Sequence, residues 1–125
     1  MDMEKDAGTP DRDAEADAMR STLKDGYGQD CPVARTLDIV GERWTFLILR
    51  DLLRQGPRKF QEFETSLAGI GPNTLSARLK RLEEADIIER RIYEHHPPRA
   101  EYLLTDKGQA LGPVLLALRK WGEKY

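Results

Sequence analysis

Apolar side chains recur at helical spacing in two segments that follow each other closely after residue 30. Val33, Leu37 and Val40 lie four and three residues apart, which predicts an apolar stripe on a short helix that begins at Pro32. Residues 44–53 are apolar on almost every side. A helix of that kind has to be surrounded by protein, so this segment is expected to be the most buried helix of a small domain.

A third helix is predicted over residues 58–67, which carry Phe60, Phe63 and Leu67 at spacings of three and four. The two basic residues at its start also favour a short extended entry. Residues 69–72 contain two glycines and a proline, the composition of a tight turn. The third helix and the one that follows are therefore closely joined.

The fourth predicted helix begins at Pro72, a residue well suited to the first helical position. Leu75, Leu79 and Leu82 fall on one side of it when each residue advances the helix by about 100°. The opposite side is polar and mostly basic as far as Arg81. This helix is expected to pack on its leucines and to present its basic side outwards.

Two stretches of alternating apolar and polar residues follow, 87–93 and 100–104. Six residues, 94–99, separate them and include two prolines. This arrangement predicts a β-hairpin with a stiff loop of six residues.

The last predicted helix runs from Asp106 to about Lys124, with Thr105 as its N-cap and a kink at Gly112 and Pro113. Its apolar stripe is long for so small a domain, which predicts a two-fold dimer interface on this helix. The stripe consists of Leu111, Val114, Leu115, Leu118 and Trp121.

The order of these elements is three helices, a fourth helix behind a tight turn, a two-stranded wing and a C-terminal helix. We interpret it as a winged helix-turn-helix, a mainly α fold with a small β-hairpin. In such a fold the fourth helix can lie in the DNA major groove while the hairpin reaches the flanking backbone or the minor groove.

Charge divides the chain of 125 residues near residue 25. Residues 1–25 hold eight acids and four bases, whereas residues 26–125 hold 14 acids and 16 bases. The first segment also has few large apolar groups, so it is expected to be a mostly disordered acidic tail. Residues 26–125 are expected to form one domain, which is more basic than the net charge of the whole chain suggests.

Several classes of protein are excluded by what the sequence lacks. A single cysteine and two adjacent histidines predict neither an intramolecular disulfide nor a zinc site. No apolar run is long enough for a membrane span, and the acidic N-terminus does not have the pattern of a signal peptide. We expect a cytoplasmic protein without a metal or other cofactor and without a membrane partner.

Four segments in order resemble the HxlR-type winged-helix transcriptional regulators of bacteria. The resemblance implies a homodimer that binds double-stranded operator DNA and regulates nearby genes, with the terminal helices at the dimer interface and the fourth helix as the recognition helix. We expect a repressor rather than an activator. The segments are CPVARTLDIVGERWTFLILRDLL (31–53), FQEF (60–63), GIGPNTLSARLKRLE (69–83) and PPRAEYLLTDKG (97–108).

The chain departs from the usual pattern of these regulators at the start of the recognition helix. Gly71 stands where they usually have a serine, and Asn73 where a lysine or arginine often follows the proline. The loss of a hydroxyl and a cation puts a phosphate contact there in question, whereas an asparagine amide can pair with adenine. The base preference is therefore expected to differ from that of related proteins.

The candidate DNA-binding residues lie on the fourth helix, at its approach and in the wing. Arginines and lysines are expected to neutralise phosphates, and the polar helix face is expected to choose the sequence. Arg78 has an alternative structural role, paired with Glu83 or a backbone carbonyl, and the two loop histidines either contact the minor groove, making binding pH-sensitive, or are ordinary loop residues. The candidates are Arg58, Lys59, Asn73, Thr74, Ala77, Arg78, Lys80, Arg81, His95, His96 and Arg99.

Cys31 lies just before Pro32, in the first turn of a predicted helix, where backbone N–H groups favour a thiolate. The resemblance implies that this cysteine is a candidate sensor of oxidants or electrophiles, because some HxlR-type regulators use one at this place. Sensing would need Cys31 of the partner subunit or a small thiol, since the chain has no second cysteine. The alternative is a small apolar side chain at the dimer interface.

Two other classes of function are alternatives to a DNA-binding regulator. A winged helix can serve protein contacts alone, and the modest positive charge of residues 26–125 supports that alternative. An enzyme is not expected, because no catalytic Ser/His/Asp or Cys/His set, phosphate-binding loop or carboxylate pair is recognisable. An oxidant or another small molecule remains a candidate effector.

Overall fold

The computed structural model describes residues 31–125. The predicted acidic tail, residues 1–25, and the predicted start of the domain at residue 26 lie outside the described residues, so both remain predictions. Within residues 31–125 none of the helices is long and apolar enough to cross a membrane. No group of three or more possible metal ligands occurs in that same part of the chain.

The first helix, α1, spans Pro32–Val40, as its apolar spacing predicts. The amide of Arg35 donates to the carbonyl of Cys31 over 2.9 Å, which closes the first turn. Val33 and Leu37 of the predicted stripe are about half exposed, whereas Val40 is buried. The stripe exists, but among the described residues only its C-terminal end is covered.

Helix α2, Thr45–Gln55, forms the centre of the core, which confirms that residues 44–53 are the most buried helix. Ile48 and Leu49 are fully buried, and Leu52 nearly so. Asp51 is also buried, and its carboxylate accepts from the guanidinium of Arg50 at 3.2 Å. This contact partly offsets the cost of removing a carboxylate from water.

The helix-turn-helix consists of α3, Phe60–Ser66, and α4, Pro72–Glu84. Phe63 of α3 is fully buried, and the backbone amide of Lys59 donates to the Glu62 carboxylate at 2.7 Å, satisfying an orphan donor at the start of the helix. Gly69, in the turn, has a φ of 92°, which a residue with a side chain rarely adopts. The predicted turn and both helices are confirmed.

The wing is part of a three-stranded antiparallel sheet with the order β1-β3-β2, where β1 is Arg58–Lys59, β2 is Ile88–His95 and β3 is Pro98–Leu104. The predicted extended entry before α3 is thus confirmed as a strand. The sequence did not reveal that this entry pairs with the hairpin, since the pairing joins residues more than 40 positions apart.

The predicted six-residue hairpin loop is wrong. Four of the six residues belong to the strands, which leaves only His96 and Pro97 in the turn. Glu94 lies opposite Arg99 in the sheet register, and His95 lies opposite Pro98. Opposite charges at facing positions stabilise a strand pair. The Glu94–Arg99 pair therefore helps to extend the hairpin beyond its alternating apolar residues.

Tyr102 of β3 connects the sheet to the core. Its ring lies 6.3 Å from that of Phe63, in a tilted arrangement. Burial raises the pKa of Tyr102 above its ordinary value, although the positive charge of Arg90 partly opposes the shift. The phenol is therefore neutral at physiological pH.

The last predicted helix is two helices, α5 at Asp106–Gln109 and α6 at Gly112–Lys124, so the prediction of one kinked helix is wrong. Pro113 has no amide hydrogen for the carbonyl of Gln109, and its ring would crowd that carbonyl in a continuous helix. The predicted N-cap is confirmed, because the hydroxyl of Thr105 accepts from the amide of Gly108 at 3.1 Å. The mainly α, winged helix-turn-helix fold is also confirmed.

Candidate nucleic-acid interface

Helix α4 has one buried side and one exposed side. Leu75, Leu79 and Leu82 are at most 1% exposed and hold the helix on the core. The candidate DNA-binding residues on the other side are exposed except for Thr74, which is half-buried; the exposed ones are Asn73, Ala77, Lys80 and Arg81. The geometry matches a recognition helix that is held on the core by its buried side and can enter a groove of DNA with its exposed side.

The start of α4 carries unused hydrogen-bond donors. The helix begins after Gly71, and no side chain caps it. The first intrahelical bond runs from the amide of Leu75 to the carbonyl of Gly71, which leaves the amides of Asn73 and Thr74 without a helical partner. Such amides, together with the helix dipole, favour an anion such as a phosphate.

Arg78 lies on the flank of α4 and faces the segment before α2. Its Nε is 3.9 Å from Oε1 of Glu42, an ion-pair distance too long for a hydrogen bond. The same carboxylate oxygen accepts from the amide of Trp44 at 2.7 Å. The predicted pairing with Glu83 is therefore wrong, because the fold brings Glu42 nearer, while a DNA contact by Arg78 remains a prediction.

The two basic residues of β1 are engaged with neighbouring elements. A terminal nitrogen of Arg58 donates to the carbonyl of Glu62 at 3.3 Å, and its Nε is buried without a hydrogen-bond partner. The Lys59 ammonium lies 5.0 Å from the ring centre of Tyr93 on the wing, a cation–π arrangement. These contacts hold both cations between the helix-turn-helix and the wing.

Two of the three wing arginines face acidic partners across the strands. Arg91 pairs with Glu101, and the Nε of Arg99 lies 3.3 Å from Glu94. In the second pair both side chains are more than half exposed, so the pair contributes little and Arg99 can exchange it for a phosphate. His95 at the end of β2 and His96 in the turn are exposed.

Positive charge is concentrated on the helix rather than on the wing. Residues 72–82 contain three bases and no acid, whereas residues 88–104 contain three arginines and three glutamates. The helix face is therefore the part of the described surface best suited to a polyanion. The wing is close to neutral as long as its pairs are intact.

The predicted dimer stripe is divided between two sides of α6. No residue of α6 is buried in the single chain, and Val114, Leu118 and Trp121 are 41%, 49% and 68% exposed. Leu111 instead packs against the core, and Leu115 and the half-exposed Leu118 both line a groove between α2 and α6. An interface role for any of the five residues remains a prediction.

The predicted stripe does not include two exposed apolar residues of this region, Leu116 and Tyr125, which are 50% and 78% exposed. Tyr125 follows Trp121 by four residues and so continues the helical spacing of the stripe. The two rings lie 5.3 Å apart. Leu116 lies on a different side of the helix from the stripe, and only the fold shows that it lines the groove.

Cys31 is half-buried and its thiol is free. It immediately precedes α1, as the sequence predicts. Its role as a sensor remains a prediction.

Comparison with known proteins agrees with this geometry. A family model described as HxlR-like helix-turn-helix matches residues 39–125. The HTH-type transcriptional regulator YdeP of Bacillus subtilis is 40% identical over 97 residues, which cover 78% of this chain and 75% of YdeP.

Two solved structures of regulators are similar to the chain. The oxidized form of the redox regulator HypR has a TM-score of 0.71 and 35% identity, covering 76% of this chain and 97% of HypR. The reduced form of the transcriptional regulator YodB from B. subtilis has a TM-score of 0.65 and 33% identity, covering 76% of this chain and 93% of YodB.

Proposed function

The chain belongs to the HxlR-like helix-turn-helix family, and we propose that it is a dimeric transcription regulator that binds operator DNA in a sequence-specific way through α4. One observation carries the proposal. The exposed side of α4 bears polar and basic residues with no acid before Glu83, and three buried leucines hold that side rigidly outwards. Such a face suits both phosphate contacts and base contacts in the major groove.

Each part of the interface has a distinct role in this proposal. Arg58, Lys59, Arg78, Arg81 and Arg99 neutralise phosphates, and Asn73, Thr74, Ala77 and Lys80 choose the sequence. The wing histidines, His95 and His96, contact the flanking minor groove. The helix supplies most of the affinity because residues 72–82 contain three bases and no acid, whereas the wing carries equal numbers of both.

The proposed dimer places two copies of α4 on successive turns of the duplex. The exposed side of α6, formed by Val114, Leu118 and Trp121 and extended by Tyr125, pairs with the same side of a second copy, because a two-fold contact buries apolar surface on both. Half-sites about 34 to 36 Å apart would then be read together. The protein acts in the cytoplasm, where operator DNA lies, as a repressor rather than as an enzyme.

Fluorescence anisotropy tests the proposal directly. The purified protein is titrated onto duplex DNA from upstream of its own gene and onto a scrambled duplex, at two salt concentrations. We expect tight, salt-sensitive binding to the native duplex only. Equal weak binding to both duplexes would contradict sequence-specific binding at this site, and no binding at low salt would favour the alternative of a protein-interaction module.

Regulation through Cys31 is a further part of the proposal, supported by the similarity to a protein described as a redox regulator. With hydrogen peroxide as the oxidant, the thiols of Cys31 and Cys31 of the partner subunit would form a disulfide. Each thiol gives up one hydrogen, and the peroxide is reduced to two molecules of water. A small thiol could replace the partner's cysteine in the same chemistry.

This redox step is tested by non-reducing electrophoresis and anisotropy before and after peroxide. We expect a disulfide-linked dimer, or a mixed disulfide detected by mass spectrometry, together with a changed DNA affinity. The Cys31→Ser variant should show neither effect. A peroxide response that persists in this variant would exclude Cys31 as the sensor.

A further inference from the structure

A groove runs between α2 and α6 on a side of the molecule that the proposed DNA contacts do not use. Its volume is about 700 Å³, within the range of roughly 300 to 1,000 Å³ that small-molecule sites occupy. Its apolar lining comes from both helices and consists of Phe46, Leu47, Leu53, Leu115, Leu116 and Leu118. The groove therefore has an apolar surface large enough to contact a compact organic molecule.

The groove and the proposed dimer face of α6 share Leu118 and otherwise consist of different residues. With an advance of about 100° per residue, Val114, Trp121 and Tyr125 lie within about 60° of one another around the helix. Leu116 and Arg119 are turned away from these three residues by about 120° or more. A second copy packed on the exposed dimer face would therefore leave Leu116 and Arg119 uncovered.

The described residues at the edge of the groove carry charge of one sign. Arg50, Arg54 and Arg119 are the charged residues that line it, and none of the acids within residues 31–125 does so. Arg50 already contacts Asp51, and Arg119 contacts Glu123 in an exposed pair of the kind that contributes little. For Arg54 the described residues supply no hydrogen-bond or ion-pair partner, so its guanidinium is available to a ligand.

We propose that this groove binds a small organic carboxylate with an apolar, ring-sized body, held by Arg54 at the charged edge. A guanidinium can bind a carboxylate through two parallel hydrogen bonds, and the apolar body would cover the leucines and Phe46. The occupant would contact both the helix beneath the helix-turn-helix and the helix that carries the proposed dimer face. The site goes beyond DNA binding and can be tested on the protein alone.

Isothermal titration calorimetry of the full chain with 2-naphthoate tests the proposal. The neutral isostere 2-naphthamide and the cation 2-naphthylmethylammonium serve as ligand controls with nearly the same apolar body. We expect saturable binding of the carboxylate that is about tenfold tighter than that of the amide, with the cation weakest. Equal affinities for the three ligands, or no saturable binding of the carboxylate, would overturn the proposal.

Two matched variants locate the site. Arg54→Gln removes the unpartnered charge and should weaken 2-naphthoate binding about tenfold, to the level of the amide. Lys120→Gln removes an exposed charge from α6 outside the groove and should leave the affinity unchanged. Equal effects of the two substitutions would show attraction by overall charge and overturn the site.

The dependence on protein concentration distinguishes a ligand site from a contact between copies. The affinity for 2-naphthoate should be the same at low and high protein concentration. Affinity that is lost as the protein associates would show that a second copy fills the groove, and would overturn the proposal. No DNA is present in these titrations, so their failure and a failure of DNA binding are separate results.

Discussion

Helices α4 and α6 are the same length, 13 residues, and each has a proline within its first two positions. Both also carry leucines at helical spacing, yet the leucines differ in how far they are buried. Those of α4 are buried beneath a polar face, whereas α6 has no buried residue and leaves Leu118 and Trp121 exposed. The same amphipathic pattern therefore marks a helix that completes the core in one place and a helix whose apolar side stays exposed in the single chain in the other.

The largest difference between the two helices is expected in stability. Leu79→Ala removes a side chain that is 1% exposed, and should lower the free energy of unfolding by about 2 to 5 kcal/mol. Leu118→Ala truncates a half-exposed side chain and should cost less than about 0.5 kcal/mol in dilute protein. Urea denaturation at low protein concentration measures both, and equal losses would show that α6 is part of the core.

The second expected effect concerns association. Trp121→Ser removes the largest exposed apolar side chain of α6 and should weaken dimerisation by about 2 kcal/mol or more, as the loss of an interface hot spot does. Lys120→Ser changes the neighbouring position on another side of the helix and is the control. Analytical ultracentrifugation checks both, and a Trp121→Ser protein that dimerises as before would remove this face from the interface.

A third substitution addresses the exposed side of α4. Arg81→Ala should weaken binding to the operator by about 1 to 3 kcal/mol and reduce the slope of affinity against salt by about one unit, because one phosphate contact is lost. Folding should be unchanged, since the side chain is exposed. Anisotropy titrations at several salt concentrations measure both quantities, and an unchanged affinity would exclude Arg81 from the interface.

The smallest effect is expected in the wing. Arg99→Ala should weaken DNA binding by less than about 1 kcal/mol, because Arg99 has to leave the Glu94 carboxylate before it reaches a phosphate. Glu94→Gln removes that competitor and should strengthen binding slightly. If Arg99→Ala costs more than Arg81→Ala in the same anisotropy assay, the wing rather than α4 supplies most of the affinity.

Most of the helix-turn-helix could be predicted from the sequence because its signals are local. The spacing of Leu75, Leu79 and Leu82, the proline at the first helical position and the glycine turn each act within a few residues. The exposed positions of α4 follow from the same spacing. The candidate residues Asn73, Lys80 and Arg81 were therefore placed correctly on the outer side before the fold was known.

The errors concern contacts between distant parts of the chain. The partner of Arg78 is Glu42, 36 positions earlier in the sequence, and no periodic pattern reports such a pair. The pairing of β1 with β3 and the full length of the hairpin likewise depend on facing residues in separate strands. The break before α6 has a local cause in Pro113, whose ring interrupts the helix instead of only bending it.

The sequence by itself determined which segments are helical, where the turn before α4 lies and which side of α4 is basic, because these follow from the backbone period and from residues close together in the chain. Only the tertiary structure decided which residues of the α6 stripe are covered. Packing placed Leu111 on the core and Leu115 in a groove edged by Arg54, and it left Trp121 exposed. The physical reason is that burial depends on how separate elements pack against one another. The spacing of residues along the chain shows which side of a helix is apolar, but it does not show which other element covers that side.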